Sequence, residues 1–314
     1  MGLSHSYIML LLCVMMVCIG NSLWHPTAIP TLARRYPDRK GLVLSLHGMG
    51  GNAGDAIAPL AIGTLLAVFS WREVVVMNVV PGLVMSVLLL VFLGTLQLGS
   101  KAAKAGAAGD ETPGQSLAEY RRGLRELLRN RSLVLLSTSG AFRSMTQNAL
   151  LTFLPLYLAR ELGYSIMLIG ASMFALQAAG FAAAPVAGHL SDRMGRRSVV
   201  MTSMGLTAVV LLFMAIAGKS PLFIAFIAVL GFVLYALRPV LQAWLLESTP
   251  KNMGGSSIGV LFGAQSLGSS IAPLIGGIIA DRFGLGATFY FLAGTIVCAN
   301  LLILLMPHTG SEAE

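Results

Sequence analysis

The sequence predicts an all-α membrane protein, and three observations carry that expectation. Apolar residues make up 56% of the 314 residues and charged residues 11%. A soluble domain carries roughly 25% charge. The apolar residues fall in runs of the length a membrane span needs, about 20 residues. Lys and Arg alternate sharply from one connecting loop to the next, as they do in chains sorted by the positive-inside rule.

Nine spans are predicted, at residues 7–30, 43–68, 74–97, 132–158, 165–187, 198–217, 221–246, 256–280 and 285–306. The first run is too long, and its flank too poor in positive charge, to read as a signal peptide. Alternate loops hold Arg34, Arg35, Arg39 and Lys40, then the seven basic residues of 101–131, then Arg193, Arg196 and Arg197, then Lys251. The opposite loops hold Arg72, Arg160, Lys219 and Arg282. The first set therefore lies in the cytoplasm, with the C-terminus inside and Met1 outside. The net charge of +8 has no basic face with interleaved aromatics, so nucleic acid is not an expected partner. Cys13, Cys18 and Cys298 are scattered in apolar runs, which argues against a disulfide framework or a metal site. No zinc spacing, P-loop, nucleophile elbow or dinucleotide fingerprint is present. No enzyme activity, metal or cofactor is expected.

A repeat organises the chain. His25-Pro26 and Pro37 recur as Arg238-Pro239 and Pro250, 213 residues on. Gly54-x-x-Ile57-Ala58-Pro59-Leu60-x-x-Gly63 recurs as Gly268-x-x-Ile271-Ala272-Pro273-Leu274-x-x-Gly277, 214 residues on. Spans one to three thus repeat as spans seven to nine. Three parts follow: residues 1–97 with three spans, a cytoplasmic linker at 98–131, and residues 132–314 with six. Within the linker, Ser116 and Glu119 read as a capping box. Leu117, Tyr120, Leu124, Leu127 and Leu128 make the apolar face of an amphipathic helix lying on the membrane or the bundle.

Gly188-His-Leu-Ser-Asp192-Arg193-Met-Gly195-Arg196-Arg197 is a short basic turn between two apolar runs. Its glycines let two helix ends approach closely. This G-x-L-S-D-R-x-G-R-R segment resembles the loop signature of the major facilitator superfamily of secondary transporters. The resemblance implies two six-helix halves, with the turn joining the second and third helices of a half. The nine spans would then be helices four to twelve of twelve, and three helices would be missing before Met1. It also implies a multi-pass protein of a bacterial inner membrane. In the family, the loop Asp and an acid at the end of the tenth helix join a charge network that holds the cytoplasmic side closed. Gly188, Asp192, Arg193, Gly195, Arg196, Arg197 and Glu247 match those positions and form the expected cytoplasmic gate.

Ionisable residues inside spans are costly, roughly 2.5–3.5 kcal/mol each at mid-span on translocon scales. Ser139, Arg143 and Gln147 lie at i, i+4 and i+8 on one face. Tyr235, Arg238 and Gln242 make a second stripe, and Asn21 and His25 a third. On the family's numbering these stripes sit on three helices that line the central cavity, and they are the expected substrate pathway. The alternative for each is helix–helix hydrogen bonding. Asp55 is the carboxylate near mid-span. Burial favours its neutral form and a nearby Arg its charged form. It is the expected proton carrier, pairing with Arg238 or Arg143 in one state; the alternative is a static ion pair. The repeated Gly-x-x-x-Ala-Pro-Leu-x-x-Gly resembles the fifth-helix signature of the superfamily's drug antiporters, and its presence in both halves suggests packing between them. The His25-Pro26 span and Gly50-Gly51-Asn52-Ala-Gly54 resemble the fosmidomycin-resistance branch of drug-efflux proteins.

The expected partners are the lipid bilayer, a small-molecule substrate and protons. The expected function is proton-coupled efflux of small amphiphilic compounds. Uptake of organic anions, or a truncated chain that does not transport, are the alternatives.

Overall fold

In a bilayer the backbone must satisfy its own hydrogen bonds, and the chain answers with helices. The computed structural model describes residues 2, 4, 6–66, 68–95, 117–218, 222–250 and 253–306. Among them the elements are α1 (Tyr7–Arg35), a 3₁₀ turn (Pro37–Arg39), α2 (Lys40–Leu66), α3 (Trp71–Met77), α4 (Val79–Thr95), α5 (Leu117–Arg129), α6 (Arg131–Arg160), α7 (Ile166–Met194), α8 (Arg196–Ala217), α9 (Leu222–Tyr235), α10 (Leu237–Glu247), α11 (Gly254–Phe283) and α12 (Ala287–Leu304). Each predicted span falls on a helix or on two consecutive ones. Seven segments of the described residues are long and apolar enough to cross a membrane. The 27-residue α2 and the 30-residue α6 are also long enough to cross, and polar residues such as Asp55 in α2 and Arg143 and Gln147 in α6 interrupt their apolar runs.

Caps set the helix ends. The Asn130 side chain accepts from the Leu133 amide at 3.2 Å and opens α6. Ser165 does the same for α7. Ser70 and Glu73 form a reciprocal capping box at the start of α3. The α7–α8 turn is one residue, Gly195, at φ +87°, where an L side chain would be strained. The α9–α10 break at Ala236 has a different cause. Pro239 has no N–H to give the carbonyl four residues earlier, that of Tyr235, and its ring crowds that carbonyl. The expected capping box at Ser116 and Glu119 lies outside the described side chains. The helix predicted with it is present as α5, with Leu127 buried and Leu128 half exposed.

The helices cluster into two compact units. One comprises residues 1–24 and 57–124, the other residues 25–56 and 125–314. In the first, α3 packs on α4, and Arg72 reaches the Ser4 carbonyl at 3.4 Å. In the second, α6 runs along α11 and α12, α12 along α8, and α9 along α7 and α8, while α10 touches α6, α7, α8 and α11. Tyr157, Phe223 and Phe289 bring α6, α9 and α12 together, with ring centroids 5.0–5.6 Å apart. Such aromatic pairs add about 0.5–1.5 kcal/mol each beyond burial.

Small residues set the closest approaches, as expected where lipid tails are as apolar as the side chains. A Cβ on Gly231 of α9 would fall on the Leu176 backbone of α7. In the second copy of the repeated glycine motif, Gly268 packs on α6, while a Cβ on Gly277 would meet nothing within 4 Å. A Cβ on Gly268 would meet the Ala141 carbonyl at 2.5 Å, and one on Gly276 would meet the Phe153 ring, both on α6. These glycines therefore serve packing within the six C-terminal spans.

This packing predicts unequal costs for two glycine substitutions. Gly231→Ala should destabilise the chain by about 1–3 kcal/mol, the usual cost of overpacking. Gly259→Ala, with nothing within 4 Å of the new methyl, should be neutral or gain up to about 1 kcal/mol of helix propensity. Thermal unfolding of both variants in the same detergent checks the pair.

Candidate functional site

Three helices of the second unit carry a polar cleft. Its volume is about 410 Å³, within the range of small-molecule sites. Arg143, Ser144, Gln147, Asn148 and Leu151 come from α6, Arg238 from α10, and Phe262, Gln265, Ser266, Ser269 and Ser270 from α11. Arg238 stands at the start of α10, beside the Ala236 break. Interrupted helices within membranes are tolerated where they border a cavity.

Arg143 is 2% exposed. It donates to Gln147 Oε1 at 2.8 Å and, more weakly, to Ser144 Oγ at 3.4 Å, and its Nε has no partner. Arg238 is half-buried, with its guanidinium 5.7 Å from the Phe262 ring centre. The ring of His25 lies 4.8 Å from the same ring and 6.2 Å from that of His47. Tyr235 is buried against Gly180, and its hydroxyl faces Gln147 without a well-formed hydrogen bond. Among the described residues no carboxylate lies within ion-pair distance of Arg143 or Arg238.

The predicted pathway residues thus divide. Arg143, Gln147 and Arg238 line the cleft, Tyr235 lies beside Gln147, and His25 reaches Phe262. Ser139 does not line it: its hydroxyl donates to the Ala299 carbonyl of α12 at 2.9 Å and ties two helices together. Gln242 is 5% exposed and also lies off the cleft. Asn21 belongs to the other unit, where it is exposed. Asp55 is exposed and forms no ion pair with Arg143 or Arg238, although its charge acts on Arg238. The α11 wall was missed. Phe262, Gln265, Ser266, Ser269 and Ser270 fall at i, i+3, i+4, i+7 and i+8, a helical polar stripe readable in principle from its spacing.

The charged turn is built around Asp192. Its Oδ1 accepts from the Gly41 amide and its Oδ2 from the Leu42 amide, both at 3.2 Å. A carboxylate from α7 therefore caps the start of α2, satisfying orphan amides and meeting the positive end of the helix dipole. Two glycines make this approach possible. A Cβ on Gly188 would fall on Ser45 and the Gly41 backbone, and one on Gly41 would meet Asp192 and Arg196. Arg196 links the two acids, 2.5 Å from Asp192 and 3.0 Å from Glu247, and donates to Ser191 Oγ at 2.6 Å. Lys40 lies 3.9 Å from Glu247. Arg197 turns the other way and donates to the Leu304 and Met306 carbonyls past the end of α12. Arg193 is exposed and makes no ion pair among the described residues.

Seven apolar segments long enough to cross a membrane among the described residues, with a polar cleft in the second unit, define a multi-pass helical membrane protein. The chain belongs to the Major Facilitator Superfamily, whose family profile matches residues 1–182 and 136–314. It is 37% identical over 123 residues to Multidrug resistance protein MdtG of Serratia proteamaculans (strain 568), a match covering 39% of this chain and 30% of that protein. It is 24% identical over 304 residues to the cis,cis-muconate transport protein of Acinetobacter baylyi (strain ATCC 33305 / BD413 / ADP1), covering 94% of this chain and 73% of that one. Its fold is similar to that of a bacterial homologue of the iron transporter ferroportin in an outward-facing state, with a TM-score of 0.72 at 16% identity, covering 96% of this chain and 74% of that one. The match to the multidrug-resistance relative spans about 30% of that protein's length.

The Asp192 contacts predict a local effect. Asp192→Ala should speed hydrogen exchange of the Gly41 and Leu42 amides several-fold, in line with the roughly 0.5–2 kcal/mol of a lost cap. Arg193→Ala should leave it unchanged. Exchange mass spectrometry on the peptide covering residues 40–45 checks both, and equal protection in the Asp192 variant would remove the capping role.

Proposed function

We propose that the chain carries out proton-coupled efflux of small amphiphilic compounds by alternating access, with the α6–α10–α11 cleft as its substrate site. The observation that carries this reading is the cleft itself: a polar pocket with a buried guanidinium, among helices that are otherwise apolar. Export is the proposed direction because the 123-residue match is to a protein named for multidrug resistance. The proposed setting is a bacterial inner membrane with the C-terminus in the cytoplasm, from the distribution of Lys and Arg.

Two further parts of the site take roles in the cycle. Asp55 carries the proton. Asp55 and Arg238 belong to the same unit, and a helix movement that paired them would favour the charged carboxylate and release the proton. The Asp192–Arg196–Glu247 network, with Gly41 and Leu42 docked on it, is the cytoplasmic latch. It stabilises one of two states and so sets their populations. Gly188 and Gly195 shape the latch, and Arg197 anchors it to the end of α12.

A second reading, uptake of an organic metabolite, draws on the likeness to a muconate transport protein over nearly the whole chain. Vesicle orientation separates the two. Under an imposed proton gradient, inverted vesicles carrying the chain should accumulate ethidium or fluorescein, and right-side-out vesicles should not. The reverse pattern supports uptake. Accumulation in neither, relative to vesicles without the chain, rejects transport by this chain.

Asp55→Asn should abolish uphill accumulation while leaving exchange down a substrate gradient within about twofold. A variant that still concentrated the dye on a proton gradient would exclude Asp55 as the carrier. Glu247→Gln should instead change the rates of both processes together, because it alters a state population and no site chemistry.

A further inference from the structure

We propose that the cleft selects small organic anions, and that Arg143 is the residue that binds the anionic group. This rests on the reading of the cleft as the substrate site and goes beyond it by naming the substrate's charge.

The argument begins with donors and acceptors. Arg143 has five N–H groups in a planar fork. Among the described residues its terminal nitrogens reach only Gln147 and Ser144, and its Nε reaches no partner. Each partner is a neutral side chain one residue or one helical turn away, so neither neutralises the charge. Arg238 lines the same cleft, and the two guanidinium groups repel each other. Among the described residues that line the cleft there is no Asp or Glu, and Asp55, whose charge acts on Arg238, lies outside that lining. Among the described residues no carboxylate stands within 4 Å of either Arg.

Two cations in a membrane bundle without a paired anion are costly. That cost falls when an anion enters, because an ion pair at a desolvated site is far stronger than one in water. The Arg fork suits bidentate pairing with two oxygens of a carboxylate or phosphonate. The rest of the lining fits a compact solute of mixed character. Ser266, Ser269, Ser270, Gln265 and Asn148 offer hydrogen bonds, while Leu151 and Phe262 offer an apolar wall. A cationic amphiphile would meet two like charges here, with no acid paired to Arg143 or Arg238 among the described residues.

The test is binding, which does not depend on transport. The full chain in lipid nanodiscs would be titrated calorimetrically with phenylphosphonate, benzoate and benzylamine, which share a ring and differ in charge. The expected result is saturable binding of phenylphosphonate or benzoate and none of benzylamine. Arg143→Gln should weaken anion binding at least tenfold, and Arg143→Lys should fall between, since an ammonium keeps the charge but loses the fork. If Arg143→Gln does not give a monodisperse protein, Arg238→Gln takes its place and should also weaken anion binding at least tenfold. Benzylamine binding as tightly as the anions would overturn the proposal, as would anion affinity unchanged in the Gln variant, or no saturable anion binding in the unaltered chain. Anion binding without vesicle accumulation would leave this inference standing and remove the efflux reading. Equal accumulation of ethidium and fluorescein would do the opposite.

Discussion

An unpaired backbone N–H or C=O in hydrocarbon costs several kcal/mol, and that constraint governs the described spans of this chain. Long helices satisfy it almost everywhere. The exceptions are informative because each needs its own solution. At the start of α2, orphan amides are met by a carboxylate from another helix, Asp192. At Ala236 the helix is interrupted where Pro239 withholds a donor, beside a polar cleft. These two departures from regular helix lie at the charged turn and beside the polar cleft.

Close packing makes both places possible. With no water to expel between helices, association depends on how near two backbones can come. Gly41 and Gly188 let α2 reach the Asp192 carboxylate, and a methyl on either would displace it. Gly140, Gly268 and Gly276 draw α11 onto α6, and this brings the Arg143 face opposite the serine stripe. The cleft is thus a consequence of glycine placement on its outer flanks as much as of the polar residues inside it.

Charge is distributed in two distinct ways. Where the ends of α2, α7, α8 and α10 meet, acids and bases interlock: Arg196 bridges Asp192 and Glu247, and Lys40 approaches Glu247. Partly exposed pairs of this kind contribute little each and gain weight as a network. Inside the bundle, Arg143 and Arg238 have no acid paired with them. The first arrangement suits a contact that holds two elements in register. The second suits a site completed from outside.

Length, composition and the spacing of basic residues determined by themselves that this is a multi-span helical membrane protein, because hydrocarbon thickness and backbone hydrogen bonding leave few alternatives. The repeat and the Gly188–Arg197 turn were equally legible, and Arg143, Gln147 and Arg238 stood out as polar residues in apolar runs. Helical period shows which residues share a face but not what that face meets. Ser139 shares a stripe with Arg143, yet four residues turn the helix about 40° past a full turn, and its hydroxyl ends on α12. Gln242 follows Arg238 at the same spacing and is likewise off the cleft. The α11 wall of serines went unread because small residues in a glycine-rich helix look like packing alone. The capping of α2 was invisible for another reason: its donors are backbone amides of Gly41 and Leu42, which residue type does not announce. Only tertiary structure decided these points, since each depends on the distance between helices remote in sequence, and that distance is set by side-chain volume at their crossing.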